Sequence, residues 1–242
     1  MAEWLEQIQA QFELNFISDD RWRYVVDGLS VTLKVTFFAV ILGIIIGVCI
    51  AIIRSTFEKN KGEMPFGFNK VVLYLLNGMG QIYLTVIRGT PVVVQLMIMY
   101  YIIFASSNNK VLVAVLAFGI NSGAYVAEIV RSGIMSVDDG QFEAGRSLGF
   151  NYVQTMRYII IPQAFKNVLP ALANEFIVLL KETSVAGYVA LQDLTKAGDI
   201  IRSRTFAPFL PLVGIALIYL VMVMFFTWLV GKLERRLRNS ER

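Results

Sequence analysis

The chain has 242 residues, of which 56% are hydrophobic and 17% are charged; its net charge is +4 and its mean hydropathy is +0.61. Soluble domains carry about 25% charged residues, so this composition excludes an ordinary soluble domain and indicates a protein embedded in lipid. The chain contains no histidine, and its one cysteine, Cys49, lies within an apolar run, which excludes histidine-based catalysis, a cysteine–histidine pair and an internal disulfide.

Residues 1–28 form a predicted N-terminal segment outside the membrane or at its surface. Residues 1–20 include five acidic residues and no apolar stretch, so they do not form a cleaved signal peptide. Apolar side chains recur there at near-helical spacing, which predicts an amphipathic helix at the membrane interface; a flexible terminus is the alternative. These side chains are Trp4, Leu5, Ile8, Phe12 and Phe16.

Five apolar segments predict five transmembrane helices, because a helix that crosses a hydrocarbon core of ~30 Å needs about 20 apolar residues. The segments are residues 35–53, 91–105, 111–127, 163–180 and 209–230. Only residues 106–110 separate the second from the third, so these two helices are expected to form a tight antiparallel hairpin. The fourth segment is the least hydrophobic because it contains Asn167, Asn174 and Glu175, and we therefore expect it inside the bundle.

Lysine and arginine residues indicate the orientation of these helices. They are concentrated after the first, third and fifth segments, and the positive-inside rule places those connections in the cytoplasm. The N-terminus is then outside, and the C-terminus, with its basic tail 232–242, is cytoplasmic. The same pattern accounts for the positive net charge, so no nucleic-acid partner is expected. Polar residues interrupt residues 71–87, which favours a helix along the cytoplasmic interface; a sixth span is the alternative.

Residues 136–161, between the third and fourth segments, are predicted to form an ordered cytoplasmic loop of two short helices. Polar residues at capping spacing begin each helix, and a glycine suited to a left-handed turn ends the first. These residues are Asp138 with Gln141, Gly149, and Asn151 with Gln154.

The first loop helix carries a surface that suits contact with another protein. Ala144 and Gly145 leave a surface of low relief, and Glu143 and Arg146 flank it as polar contacts. The alternative is an amphipathic helix that rests at the membrane interface, as many loop helices do.

The loop sequence resembles a motif in the membrane subunits of bacterial ABC importers. Glu143-Ala144-Gly145, three residues, Gly149, nine residues and Ile159-Ile160-Ile161-Pro162 match the pattern Glu-Ala-Ala, three residues, Gly, nine residues, Ile, any residue, Leu, Pro. This chain departs from the pattern at Gly145 and Ile161. The resemblance implies that the loop is the coupling helix, which docks in a groove of the cytoplasmic ATPase and transmits its movement. The residues that it implies for this contact are Gln141, Glu143, Ala144, Gly145, Arg146, Leu148 and Gly149.

Further stretches resemble the importers of polar amino acids in particular. They are residues 28–33, 88–91, 121–131 and 180–184, where Glu182 replaces the usual aspartate. The resemblance implies an all-α integral membrane protein with the type I ABC importer fold, a permease domain at 29–231 and a location in the bacterial inner membrane. It also implies three partners: a dimer of cytoplasmic ABC ATPases, a second permease subunit identical or closely related to this one, and an extracytoplasmic amino-acid-binding protein.

The chain itself carries no recognisable catalytic motif. Its only Gly-Lys pair, Gly231-Lys232, is followed by Leu233, so it lacks the phosphate-binding loop Gly-x-x-x-x-Gly-Lys-Ser/Thr. No pattern indicates a nucleophile, a metal cluster or a cofactor cradle. We therefore expect that the chain binds no cofactor and no metal, and that ATP and Mg belong to the partner ATPase.

Polar residues in the predicted helices are candidates for a substrate pathway: Gln95, Asn121, Ser122, Tyr125, Glu128, Glu175 and Lys181. A charged side chain near the middle of a membrane helix costs roughly 2.5 to 3.5 kcal/mol, so the two glutamates require compensation. Glu128 can pair with Arg131 one turn along, whereas Glu175 requires a partner from another helix, a proton, water or a cationic substrate. Instead of binding substrate, the uncharged residues could form hydrogen bonds between helices, and Lys181 could extend its side chain to the membrane surface.

The residues and the resemblance together predict a subunit of an ATP-driven importer that moves a polar amino acid by alternating access. The alternative is a channel or an ion-coupled carrier that uses Glu128 and Glu175 without an ATPase.

Overall fold

The structure, a computed structural model, describes residues 2–60, 62 and 67–239, which form helices joined by turns. The α-helices are α1 (Ala2–Phe12), α2 (Trp22–Asn60), α3 (Phe68–Gly89), α4 (Val92–Ile98), α5 (Lys110–Met135), α6 (Asp139–Ser147), α7 (Tyr152–Thr155), α8 (Ile161–Glu182), α9 (Leu194–Thr205) and α10 (Phe209–Asn239). Wider π-helical turns occur at Glu13–Ile17, Met99–Ile103 and Met156–Ile160. The predicted all-α membrane fold is confirmed; residues 240–242 of the predicted basic tail lie outside the described residues.

Within the described residues, four helices are long and apolar enough to cross a membrane: Trp22–Lys59, Phe68–Gly89, Lys110–Met135 and Phe209–Leu237. Three of them contain the predicted segments 35–53, 111–127 and 209–230 and extend beyond them. The segment predicted at 163–180 lies in α8, a helix of 22 residues whose polar side chains leave it outside this group. Its length alone suffices for a span, at about 33 Å.

The region between α2 and α5 differs from the prediction. Residues 71–87 belong to α3, whose 22 residues meet the length and hydropathy of a span, as the alternative prediction for this segment requires. The polar Asn77 does not oppose this, because it is buried within the protein. Conversely, the predicted span 91–105 contains only the short apolar helix Val92–Ile103, about 18 Å long.

Pro91 explains where this helical region is interrupted. Thr90 adopts an extended conformation, with φ −124° and ψ 145°, as residues before proline prefer. Pro91 also lacks the N–H that would continue a helix, so α3 ends at Gly89 and α4 begins at Val92.

The second loop helix and the fourth predicted span form one continuous helical run. Helix α7, the π turn Met156–Ile160 and α8 follow one another without a break. The Ile161 N–H bonds to the Met156 carbonyl, five residues back, directly before Pro162. A wider turn at this point accommodates a proline, which removes the bond to the carbonyl four residues earlier and would collide with it in a regular α-helix.

The chain divides into two compact units, and the first consists of Met1–Ala39, Val92–Phe118 and Ile177–Leu229. In this unit the start of α9 lies against α2: the Leu194 N–H donates to Thr32 Oγ1 at 3.1 Å. A Cβ on Gly28 would come within 2.6 Å of the Asp193 carbonyl oxygen, so this close approach requires glycine.

The second unit consists of Val40–Pro91, Gly119–Phe176 and Val230–Arg242. Its apolar core joins residues of α2, α5, α6 and α8 with one residue of the α5–α6 connection and one of the π turn before α8: Ala51, Val126, Val130, Ile134, Val137, Phe142, Ile160, Ala164 and Val168. Helices α2 and α5 approach closely, since a Cβ on Gly47 would lie 2.5 Å from Val126 Cγ1. This core places α6 against α5 and α8.

Candidate functional site

Helix α6 is the first of the two predicted loop helices, and it begins at the predicted cap. The Asp138 side chain accepts a hydrogen bond of 2.7 Å from the Gly140 N–H. Gln141 does not return the bond as a full capping box would require. Its side-chain oxygen accepts instead from Gln163 Nε2 of α8, at 3.2 Å, which ties the start of α6 to α8.

The turn between α6 and α7 is closed by local hydrogen bonds, as predicted. Gly149 adopts φ +78°, and the Phe150 N–H donates to the Gly145 carbonyl at 3.0 Å, the arrangement of a Schellman helix end. Asn151 and Gln154 form a capping box in which each side chain accepts from the other's N–H at 2.9 Å. Both ends of the turn are therefore ordered.

The two faces of α6 have different surroundings. Phe142 and Gly145 are buried, and a Cβ on Gly145 would come within 2.6 Å of Thr155 Oγ1. The prediction that Gly145 contributes to the open surface of α6 is therefore wrong: its small size serves packing against α7. The exposed residues of α6 are Asp139, Gly140, Glu143, Ala144, Arg146 and Ser147, and Leu148 and Gly149, which follow it, are also exposed.

Four charged side chains form an ion-pair network that joins α2 to α5. The predicted pair is confirmed: Arg131 Nε donates to Glu128 Oε2 at 3.3 Å. Arg131 Nη1 also lies 3.1 Å from Glu58 Oε2, and Arg54 lies 3.7 Å from Glu58 and 3.8 Å from Glu128. Two positive and two negative charges balance, which offsets the cost of withdrawing Glu128 from water.

Glu175 finds its partner on another helix, which was one of the predicted alternatives. The Ser122 hydroxyl on α5 donates to Glu175 Oε1 on α8 at 2.8 Å. Both residues are buried; Glu175 is 8% exposed. The neighbouring Asn121 is also buried.

A cavity of about 490 Å³ in the second unit brings together three of the predicted pathway residues, Tyr125, Glu128 and Glu175. Its other polar lining residues are Arg88, Ser132, Ser136 and Asn167. The Arg88 guanidinium lies 5.8 Å from the centroid of the Tyr125 ring, a cation–π contact. The cavity thus offers charges of both signs together with hydroxyl and amide groups.

The other predicted pathway residues do not line this cavity. Asn121 and Ser122 are buried in the second unit, whereas Gln95, on α4, and Lys181, on α8, belong to the first unit. The sequence prediction missed four polar lining residues, namely Arg88, Ser132, Ser136 and Asn167. Ser132 stands four residues after Glu128, on the same helix face, and this spacing was a usable signal. Arg88 begins the stretch 88–91 that resembles the amino-acid importers, but that resemblance assigned no role to its side chain.

Residues 71–239 match the model of the family described as binding-protein-dependent transport system inner membrane component. The chain belongs to this family. Among its relatives, the arginine transport system permease protein of Bacillus subtilis (strain 168) is 34% identical over 222 residues, covering 90% of this chain and 94% of the relative. The glutamine transport system permease protein of Escherichia coli (strain K12) is 31% identical over 218 residues, covering 88% and 93%.

Solved structures agree with this family membership. The crystal structure of an amino acid ABC transporter with histidines contains a chain that is 42% identical, with a TM-score of 0.77 and coverage of 88% of this chain and 94% of that one. The MetNI methionine ABC transporter, in inward-facing conformations, matches with a TM-score of 0.72 at 17% identity over 91% and 99%. The second likeness concerns the fold alone.

This inner membrane component is therefore the permease subunit of an amino acid ABC importer, with the type I importer fold. It is a transport subunit in a membrane that it crosses several times, and a separate ATPase subunit hydrolyses ATP. Importers of this kind work with an ATPase and a binding protein. The alternative, a carrier that uses Glu128 and Glu175 without an ATPase, is not favoured.

Proposed function

We propose that this permease moves a polar amino acid by alternating access and that a cytoplasmic ABC ATPase dimer drives it through α6. ATP binding draws the two ATPases together, carries α6 inward and switches the helices from inward-facing to outward-facing; hydrolysis reverses the change. A second permease subunit, identical or closely related, completes the pathway, and an extracytoplasmic amino-acid-binding protein delivers the substrate. This chain binds no cofactor or metal, and ATP with Mg belongs to the ATPase.

The construction of α6 is the observation that carries the proposal. Local hydrogen bonds close both of its ends, and Phe142 on its inner face packs in the core with α5 and α8. A helix packed in this way moves with its neighbours, because close-packed interiors transmit displacement. Its outer face offers Glu143, Ala144 and Arg146 to a partner.

The cavity beside Glu128 and Glu175 supports a polar substrate. Its lining includes Arg88, Tyr125 and Asn167, which can bind charged or hydrogen-bonding groups of an amino acid. The two relatives named above are permeases for arginine and glutamine, which both have polar side chains. In the proposal Gln95, Asn121, Ser122 and Lys181 belong to other parts of the same pathway.

The proposed orientation places α6 and the C-terminus in the cytoplasm and the N-terminus outside. The distribution of basic residues supports it. Helix α1 also fits this arrangement at the outer interface, because Trp4, Ile8 and Phe12 are exposed and suit the boundary between lipid and water.

Removal of the docking surface tests the proposal. Deletion of residues 143–149 is expected to abolish co-purification with the ATPase and to end uptake. A milder change, Leu148→Glu, places a charge on the same surface, and we expect the affinity for the ATPase to fall at least about ten-fold. Binding of the purified permease to the ATPase, with uptake by the reconstituted complex, measures both effects.

Val153→Glu is the matched control, because Val153 on α7 and Leu148 are each 70% exposed. It is expected to leave ATPase binding unchanged. Assembly and uptake that survive the deletion would refute coupling through α6. Uptake by this chain alone in liposomes, without ATPase or ATP, would support the carrier alternative instead.

A further inference from the structure

Lys59, in the last turn of α2, connects that helix to α6. Its Nζ contacts the carboxylate of Asp139, the first residue of α6, and lies 4.5 Å from the centroid of the Phe142 ring. The Lys59 side chain is 20% exposed, although Asp139 is 80% exposed. An ammonium group is attracted to the face of an aromatic ring. Lys59 therefore contacts both an outer charged residue and an inner apolar residue of α6.

The residue before Lys59 connects the same turn of α2 to the cavity. Glu58 accepts from Arg131 Nη1 at 3.1 Å, and Arg131 in turn contacts Glu128, which lines the cavity. Consecutive residues of a helix keep a fixed geometry, so a displacement of Lys59 also displaces Glu58. The contacts run from Asp139 through the end of α2 to Glu128.

We propose that Lys59 is a positioning residue of the transport cycle, which fixes α6 to the end of α2 so that movement of α6 reaches the ion-pair network beside the cavity. The inference rests on the proposed function, since it requires that the ATPase act on α6. It goes further by naming the contact through which that movement leaves the docking helix. Lys59 itself touches neither the ATPase nor the substrate in this proposal.

Lys59→Met tests the contact, because methionine keeps an unbranched side chain and removes the charge. The variant is reconstituted with the cognate ATPase and binding protein, and uptake and ATP hydrolysis are measured on the same vesicles. We expect normal co-purification with the ATPase and basal ATP hydrolysis within about two-fold of the parent, while the uptake per ATP hydrolysed falls at least about five-fold. Lys166→Met on α8 is the matched control and is expected to behave as the parent.

Exchange of the two charges separates a specific contact from a general effect on the fold. Lys59→Asp and Asp139→Lys are each expected to lower the uptake per ATP, and the double variant should recover at least half of the parent value. Lys59→Arg, which keeps the positive charge, should also retain at least half. If Lys59 only stabilised the chain, its replacement would lower the thermal unfolding midpoint. The uptake per ATP hydrolysed by the folded protein would then stay the same.

Three results would overturn the inference. The first is an unchanged uptake per ATP hydrolysed in Lys59→Met, and the second is no recovery of that value in the double variant with exchanged charges. The third is that Lys59→Met no longer co-purifies with the ATPase although its thermal unfolding midpoint is normal. The last would make Lys59 a docking residue and not a transmitting one. If Lys59→Met does not fold, Lys59→Arg and the exchanged pair decide. Failure of the parent chain to bind the ATPase would instead refute the proposed function, so the two failures are distinguishable.

Discussion

Gly145 lies where α6 packs against α7, and a Cβ added there would meet Thr155 Cγ2 and Oγ1, each at 2.6 Å. The motif that this loop resembles has alanine at that position. The chain thus combines a smaller residue in α6 with a β-branched residue in α7. The two residues are best understood as a pair, because the methyl group absent from one leaves room for the branch of the other.

Gly145→Ala is expected to destabilise the loop by about 1–3 kcal/mol, because the added methyl group overpacks the contact with Thr155. The thermal unfolding midpoint and co-purification with the ATPase should both fall. Thr155→Ala in the same chain removes the two clashing atoms and leaves only a contact of 3.1 Å to the Thr155 Cβ, so it should restore most of the loss. A Gly145→Ala chain as stable as the parent would show that α6 and α7 can separate at no cost.

At the scale of elements, α9 illustrates how a buried acidic residue begins a helix. The Asp193 carboxylate accepts from the Thr195 N–H at 3.1 Å and the Lys196 N–H at 3.0 Å, and Asp193 is 1% exposed. Burial raises the pKa of Asp193, and these hydrogen bonds oppose that shift. The cap therefore combines a favourable hydrogen-bond geometry with an unfavourable environment for charge.

Asp193→Ala is expected to destabilise the chain by about 0.5–2 kcal/mol because it removes the cap, whereas Asp193→Asn keeps it. Between the ordinary pKa of an aspartate and the raised pKa of Asp193, the folded state binds more protons than the unfolded state. This residue therefore lowers stability as the pH rises through that interval. Thermal unfolding of the parent and Asp193→Asn at several pH values should show a smaller decrease with pH in the variant. An asparagine variant as unstable as the alanine variant would contradict this account of the cap.

At the scale of the whole molecule, the orientation in the membrane is the property on which coupling to a cytoplasmic ATPase depends. Labelling of single cysteines tests it. Cys49 is exposed and is first replaced by serine. In that background a Gln141→Cys chain in intact cells should resist an impermeant thiol reagent and react after lysis, because α6 is expected in the cytoplasm.

Asn108→Cys is the control for a residue outside the cell. Residues 106–110 connect the second and third predicted segments, on the side opposite the cytoplasmic connections, so this cysteine should react with the reagent in intact cells. Labelling of Gln141→Cys in intact cells would place α6 on the wrong side for an ATPase and would remove the basis of both the proposed function and the role of Lys59.

Features set by neighbouring residues were predictable from the sequence. The apolar segments 35–53 and 209–230 indicated membrane helices because hydrophobic transfer free energy accumulates along a segment whatever its surroundings. The cap at Asp138, the turn at Gly149 and the pair of Glu128 with Arg131 were also predictable, since each involves residues within one or two helical turns.

Features that depend on which helices meet were decided only by the tertiary structure. Ser122 and Glu175 are 53 residues apart in the chain, and no local pattern indicates that one donates to the other. The inward position of Gly145, and the presence of Arg88 at the cavity, likewise follow from packing between elements. The periodicity of a helix determines from the sequence which residues share a face. Which element packs against that face depends on the close packing of the whole chain.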